Sequence, residues 1–276
     1  MTVGICGLGL IGGSMARAYA ENGHTVLGFD ADTATLGYAS LAEIISDTLT
    51  DEHIEKCQLI FVALYPEATI EYLEKIAPVV SRDTVVMDLC GTKKQVCDTG
   101  FRLAERYGFT FVGGHPMAGK QFSGIKYSKG NLFRGAPMVI VPPIYDDIGF
   151  LDRIKKLLEP AGFGKISVTT AEAHDKTIAF TSQLAHVVSN AYVKSPTAEG
   201  HKGFSAGSYK DLTRVAWLNE NMWTELFLEN KEPLLFELDH MISALGEYRD
   251  AIAADDGDRL RGLLRDGRIA KEKIDG

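Results

Sequence analysis

Apolar and polar positions follow two regimes that meet near residue 168. In the first, short and almost wholly apolar runs at 3–6, 25–29, 59–64, 84–89, 109–113, 137–141 and 166–168 read as strands, and segments of helical period fill most of the gaps, at 15–20, 33–38, 67–80, 93–107 and 148–158. Strands with no polar face, alternating with helices, predict a parallel sheet covered on both sides. In the second regime no strand is expected. Helices are predicted at 171–193, at 210–229, at 233–253 with Pro233 as first helical residue, and at 258–274. The third of these carries a wide apolar face of Leu234, Leu235, Leu238, Met241, Ile242, Leu245 and Tyr248. So few helices cannot close a large core alone, and the face predicts packing against a second copy of the chain. The expected division is residues 1–168 and 169–276.

The first strand runs into Gly7-Leu8-Gly9-Leu10-Ile11-Gly12-Gly13-Ser14 and then into a helix. Gly-x-Gly-x-x-Gly between strand and helix is a dinucleotide-binding turn. Gly7 permits the turn, Gly9 admits a pyrophosphate, and Gly12 lets helix and strand pack closely. The turn residues Leu10 and Ile11 and the helix N-terminus they lead into offer unpaired N–H groups to the phosphates. Asp30 ends the second strand, eighteen residues past Gly12. There a carboxylate accepts hydrogen bonds from the adenosine ribose hydroxyls, and no Arg or Lys follows among residues 31–34 to hold a 2′-phosphate. NAD is therefore the expected cofactor. The fold class that follows is α/β, a Rossmann-type doubly wound sheet followed by an all-α C-terminal domain for substrate binding and dimerisation.

Composition excludes more than it adds. At 276 residues with a net charge of −8, the chain carries no basic surface suited to nucleic acid. No apolar run reaches membrane-spanning length, and a strand at the very start leaves no room for a signal peptide. Cys6, Cys57, Cys90 and Cys97 form no Cys-x-x-Cys pair, so no metal site is expected and free thiols in a reducing cytoplasm are the plain reading.

Ligands of this architecture bind beyond the carboxyl ends of the strands. There lies Gly113-Gly114-His115-Pro116-Met117-Ala118-Gly119, where Gly114 admits a ligand and a neutral His115 suits proton abstraction from a hydroxyl as hydride departs. The bland alternative is a histidine capping a turn. A second turn, Asp88 to Lys94, brings Thr92 and Lys93 toward the nicotinamide end; equally, Thr92 is an N-cap and Lys93 a solvated charge. On the long helix, Ser182, His186 and Asn190 recur at i, i+4 and i+8, drifting only about 80° around the axis, as a polar stripe lining a cavity. His186 is otherwise a satisfied core histidine. Arg214, placed near a helix start beside a glycine-rich loop, suits bidentate capture of a carboxylate; its alternative is an i,i+3 ion pair with Asp211.

Taken in order, these motifs, with Asn131-Leu132-Phe133, Asn221-Met222-Trp223 and 227–231, resemble the prephenate/arogenate dehydrogenases along essentially the whole chain. The resemblance implies NAD-dependent oxidative decarboxylation of prephenate to 4-hydroxyphenylpyruvate in tyrosine biosynthesis, or of arogenate to tyrosine. It implies His115 as the base, Arg214 on the ring carboxylate, and His186 facing the substrate side chain or nicotinamide, with Thr92, Lys93 and Ser182 nearby. The family's serine, which bonds catalytic histidine and substrate, is replaced here by Gly91. Thr92 or a water would then substitute. No chorismate mutase or regulatory domain is expected. Two other readings remain: a 3-hydroxyacid dehydrogenase or imine reductase, against which stands the lack of a catalytic lysine on the long helix (Lys176 lies near its start), and a non-catalytic NAD-responsive dimeric sensor.

Overall fold

The computed structural model describes residues 1–119 and 122–275. The first regime folds as β1 (Thr2–Cys6), α1 (Leu10–Glu21), β2 (Thr25–Phe29), α2 (Thr33–Leu41), β3 (Asp47–Thr48), α3 (Asp51–Ile54), β4 (Leu59–Val62), α4 (Pro66–Ile76), β5 (Val85–Asp88), α5 (Lys94–Tyr107), β6 (Thr110–Pro116), β7 (Pro137–Val141), α6 (Ile148–Leu158) and β8 (Lys165–Val168). The eight strands form one sheet in the order β3-β2-β1-β4-β5-β6-β7-β8. Two apolar cores flank it. Ile5, Met15, Phe61, Met87 and Phe133 pack in one, and Cys6, Ile60, Val86, Leu103 and Phe111 in the other, as the pleat dictates for a sheet buried on both faces.

One pairing departs from the all-parallel expectation: β7 runs antiparallel to β6, with His115 opposite Val139. A parallel return needs a crossover of a dozen or more residues, usually helical. The 117–136 connection contains only the short 3-10 turn Ile125–Tyr127 among its described residues, so the chain returns beside β6 in the opposite sense. β6 is also longer than its apolar run suggests, placing His115 within the strand rather than in a loop after it.

The second regime is helical: α7 (Ala171–Ile178), a π-helical stretch (Ala179–Leu184), α8 (Ala185–Tyr192), α9 (Gly207–Thr213), α10 (Glu220–Glu229), α11 (Lys231–Ala253) and α12 (Gly257–Asp275). The expected helix at 171–193 is thus one rod with a wide turn in its middle, where Thr177 and Thr181 turn their hydroxyls back onto the carbonyls four residues earlier. The single helix expected at 210–229 is two. Asn219 caps α10 by accepting from the Met222 N–H, so Arg214 stands at the end of α9 and not at a helix start. The helix expected from Pro233 starts two residues earlier, at Lys231.

Candidate functional site

The carboxyl ends of β1, β4, β5 and β6 share one edge of the sheet, and β1 and β4 are the strands from which the order runs in opposite directions. At that crevice Gly7 has φ +85°, and a Cβ on Gly12 would lie 1.8 Å from the Gly7 carbonyl oxygen, so helix and turn touch backbone to backbone. Gly9, by contrast, faces open space, and no side chain caps the α1 N-terminus it precedes. An uncapped helix start beside an open glycine is shaped for phosphate oxygens. Asp30 braces the turn: its carboxylate accepts from the Leu8 N–H at 2.7 Å and the Asp32 N–H at 2.9 Å. Its remaining lone pairs are available to ribose hydroxyls.

Two turns along the sheet, a buried ion pair organises the candidate base. Lys93 and Asp88 are both fully buried, and the Lys93 ammonium donates to the Asp88 carboxylate and, at 2.7 Å, to the Gly114 carbonyl. Asp88 accepts in return from the Gly114 N–H at 3.2 Å and the Cys90 N–H at 2.9 Å. Burial is the largest single influence and works against the Lys93 charge, but Asp88 together with the neighbouring Cys90 and Cys97 holds the ammonium above its ordinary value. Lys93 is therefore neither a substrate contact nor a solvated charge. It clips β6 to β5 just before His115. Gly114 likewise serves packing: a Cβ there would sit 2.6 Å from the Asp88 carbonyl oxygen.

His115 pairs its Nδ1 with Nε2 of His174 at 2.9 Å, and His174 turns its Nδ1 to the Asp175 carboxylate at 2.7 Å. Asp175 also accepts the N–H groups of Lys93 and Lys94 at 2.7 and 2.9 Å, capping α5 from another helix. Burial, the neighbouring His174 and the Lys93 ammonium hold the His115 imidazole well below the usual histidine value of 6.5. A neutral imidazole at neutral pH follows. Thr92 is not the α5 cap. Its hydroxyl donates to Glu229 at 2.6 Å, a carboxyl that burial raises above its ordinary value. A Cβ on Gly91 would rest 3.4 Å from the Leu226 side chain, so α10 covers the position where the resemblance expects serine.

Ser182, His186 and Arg214 come together around a second feature, a cleft of about 390 Å³ also lined by Phe180, Asp211 and Met241. His186 donates from Nδ1 to the Val215 carbonyl at 2.9 Å, which fixes the proton on Nδ1 and leaves Nε2 with its lone pair. Burial lowers its affinity for a second proton. The guanidinium of Arg214 has no carboxylate within ion-pairing distance among the described residues, Asp211 included. Asn190, the third member of the stripe, bonds the Ala216 carbonyl instead.

α10 bridges the two features. Trp223 packs against His186 with ring centroids 4.0 Å apart and the ring planes tilted by 41°, Leu226 covers Gly91, and Glu229 holds Thr92. Behind it, buried Asn230 donates to Gln183 and to the Asp175 carbonyl, while Gln183 donates to the Leu226 carbonyl. Sequence reasoning missed His174 and Asp175, and it assigned no role to Trp223, Gln183 and Glu229, which lie within the motifs of the resemblance. A signal existed for the first two: Ala171, His174, Asp175 and Ile178 share the buried face of α7. No cluster of three metal-ligating side chains occurs among the described residues.

Residues 15–167 match the family described as prephenate dehydrogenase, nucleotide-binding domain, and residues 170–266 match prephenate dehydrogenase, dimerization domain. The chain belongs to the prephenate dehydrogenase family. A curated relative, prephenate dehydrogenase of Bacillus subtilis, is 29% identical over all of this chain and 76% of its own length. Among solved structures, prephenate dehydrogenase from A. aeolicus in complex with hydroxyphenyl propionate and NAD+ superposes with a TM-score of 0.85 at 26% identity, covering 100% of this chain and 98% of that one. Arogenate dehydrogenase of Synechocystis superposes with a TM-score of 0.81 at 26% identity, over 99% and 100%.

Proposed function

We propose that this member of the family oxidises and decarboxylates prephenate to 4-hydroxyphenylpyruvate with NAD, in the cytoplasm, as a step of tyrosine biosynthesis. The observation that carries the reading is His115, a neutral imidazole anchored through Nδ1 at the sheet edge where the glycine turn opens. NAD, when bound, supplies the acceptor for the hydride leaving the ring carbon that bears the hydroxyl. Gly7, Gly9 and Gly12, with the backbone N–H groups of Leu10 and Ile11, hold its pyrophosphate, and Asp30 its ribose hydroxyls. His115 removes the hydroxyl proton at Nε2 as the carbonyl forms. Loss of the ring carboxylate as carbon dioxide leaves its bonding electrons in the ring, giving the phenolate, which takes the proton back from His115. Aromatisation supplies the driving force, so the protein's task is alignment and the holding of one proton. Arg214, with no partner carboxylate among the described residues, binds the ring carboxylate, and Ser182 and His186 hold the substrate beside it.

The functional unit is read as a homodimer through the C-terminal helices. Leu235, Ile242, Leu245 and Ile252 are exposed on α11 at the 3.5-residue spacing of a helix–helix seam, on the segment matched to the family's dimerization domain. Arogenate is the second substrate reading, supported by the likeness to the Synechocystis enzyme. The test is NADH or NADPH formation by the purified protein, with prephenate and arogenate each offered with NAD and with NADP. Turnover of prephenate with NAD is expected. Silence with every pair, while NAD still binds, would overturn the reading in favour of a sensor.

A further inference from the structure

We propose that His174 is a positioning residue which, held by Asp175, locks His115 in the tautomer whose free lone pair lies on Nε2. The inference rests on His115 being the base. Its argument is a count of protons along one line of contacts. The Asp175 carboxylate is an acceptor, already taking the backbone N–H groups of Lys93 and Lys94, so the 2.7 Å contact to His174 requires the proton on His174 Nδ1. A neutral His174 then has only a lone pair at Nε2. The 2.9 Å contact between that nitrogen and His115 Nδ1 requires a proton, which His115 must supply. Neutral His115 thus presents an unprotonated Nε2, the atom a base needs.

A free imidazole has both tautomers open to it, and a base in the wrong one costs about four orders of magnitude in turnover in a comparable carboxylate–histidine pair. The line is rigid because each member is fixed twice. Asp175 caps α5 and is tied through its carbonyl to Asn230, and His174 is almost fully buried with its ring edge against His115, centroids 5.1 Å apart. The charged groups facing the two rings are the Asp88–Lys93 pair from the β5 turn and Asp175 from α7. When His115 gains the substrate proton at Nε2, its Nδ1–H continues to donate to His174, and Asp175 balances the new charge across one ring. No proton moves along the line. This contact also gives His115 a fixed partner in a chain that has Gly91 in place of the family serine.

The test combines ring-nitrogen NMR on histidine-labelled full-length protein with kinetics of His174→Phe, which keeps a ring of similar volume without nitrogens. Subtraction with His115→Asn assigns the His115 signals among the seven histidines. The expected resting state is protonated Nδ1 and unprotonated Nε2. An Nε2–H tautomer in the unaltered protein would overturn the proposal even if His174→Phe failed to fold. In folded His174→Phe, a fall in kcat of about 10- to 100-fold is expected, with KM and NAD affinity within about threefold and His115 in mixed tautomers. Adding His174→Phe to His115→Asn should then slow the enzyme no further, because one residue acts through the other. Multiplying losses, or an undiminished rate in His174→Phe alone, would leave His174 a packing residue while His115 remained the base. An undiminished rate in His115→Asn would instead remove the base itself.

Discussion

At the scale of single residues, chemistry here depends on keeping imidazoles neutral. His115, His174 and His186 are all held below the ordinary histidine value, with burial the leading cause in each case. A base that stays unprotonated to lower pH shifts the acid limb of its rate profile downward, so kcat/KM should stay level as pH falls through 6.5 and decline only below it. A limb at or above 6.5 would contradict the assignment of His115. Replacing His115 with Asn should lower kcat by about 10²- to 10⁴-fold while NAD affinity, measured by fluorescence titration, stays within a factor of two or so. Arg214→Ala should act differently, raising KM for substrate by about 10- to 100-fold with a smaller change in kcat, as loss of a charge-assisted contact predicts. An unchanged KM would place the carboxylate elsewhere in the cleft. The residue types were legible in the sequence, but their partners were not. Lys93 looked equally suited to substrate or to solvent, and only the approach of β6 beside β5 converted it into a buried clip on Gly114. Its removal by Lys93→Met would strand Asp88 without a counter-charge, at a cost of about 3–5 kcal/mol in urea unfolding.

Elements carry the cofactor site. The turn from β1 into α1 was readable because glycine spacing is a local property: three backbone positions must be bare within six residues. The structure sorts them by consequence. Gly9→Val should leave the melting temperature near its original value and abolish NAD binding, since the added atoms enter open space where phosphates belong. Gly12→Ala should lower the melting temperature as well, because its Cβ meets the Gly7 carbonyl. Equal thermal losses for both would argue that Gly9 is structural. Helix boundaries in the second half were less legible. The break between α9 and α10 depends on Asn219 capping at Met222, a signal no stronger than many polar residues inside real helices. The π stretch in the long rod has no period of its own to detect, yet it lies where Ser182 faces the cleft and Gln183 joins the buried amide chain.

For the whole molecule, two properties follow from summed burial. The folded state holds these three histidines, and His24 beside the N-terminus, below the ordinary value, whereas the unfolded chain takes up protons near 6.5. Stability from this source is complete above 6.5 and is lost progressively as pH falls below it, toward the lowered folded-state values. Urea midpoints should therefore drop between pH 7 and 5, and should drop less in His174→Phe. The second property is association. Ile242→Glu with Leu245→Glu, both on the exposed α11 stripe, should convert a dimer to monomers in sedimentation velocity; an unchanged mass would move the interface to another face.

What the sequence by itself determined about this protein is everything that repeats or is read over short distances: the alternation that makes a doubly wound sheet, the glycine turn with Asp30, the helical second half, and the ordered motifs that mark the family. Such features are written in periodicities and spacings along one segment. The tertiary structure alone decided which polar groups meet. The antiparallel β7, the clip of the Asp88–Lys93 pair onto Gly114, the line from Asp175 through His174 to His115, and the contacts of α10 from Trp223 to Glu229 all join residues far apart in the chain. Their physical reason is common to all. A buried polar atom must find a partner within about 3 Å, and which partner lies there is set by packing between elements, which no single segment encodes.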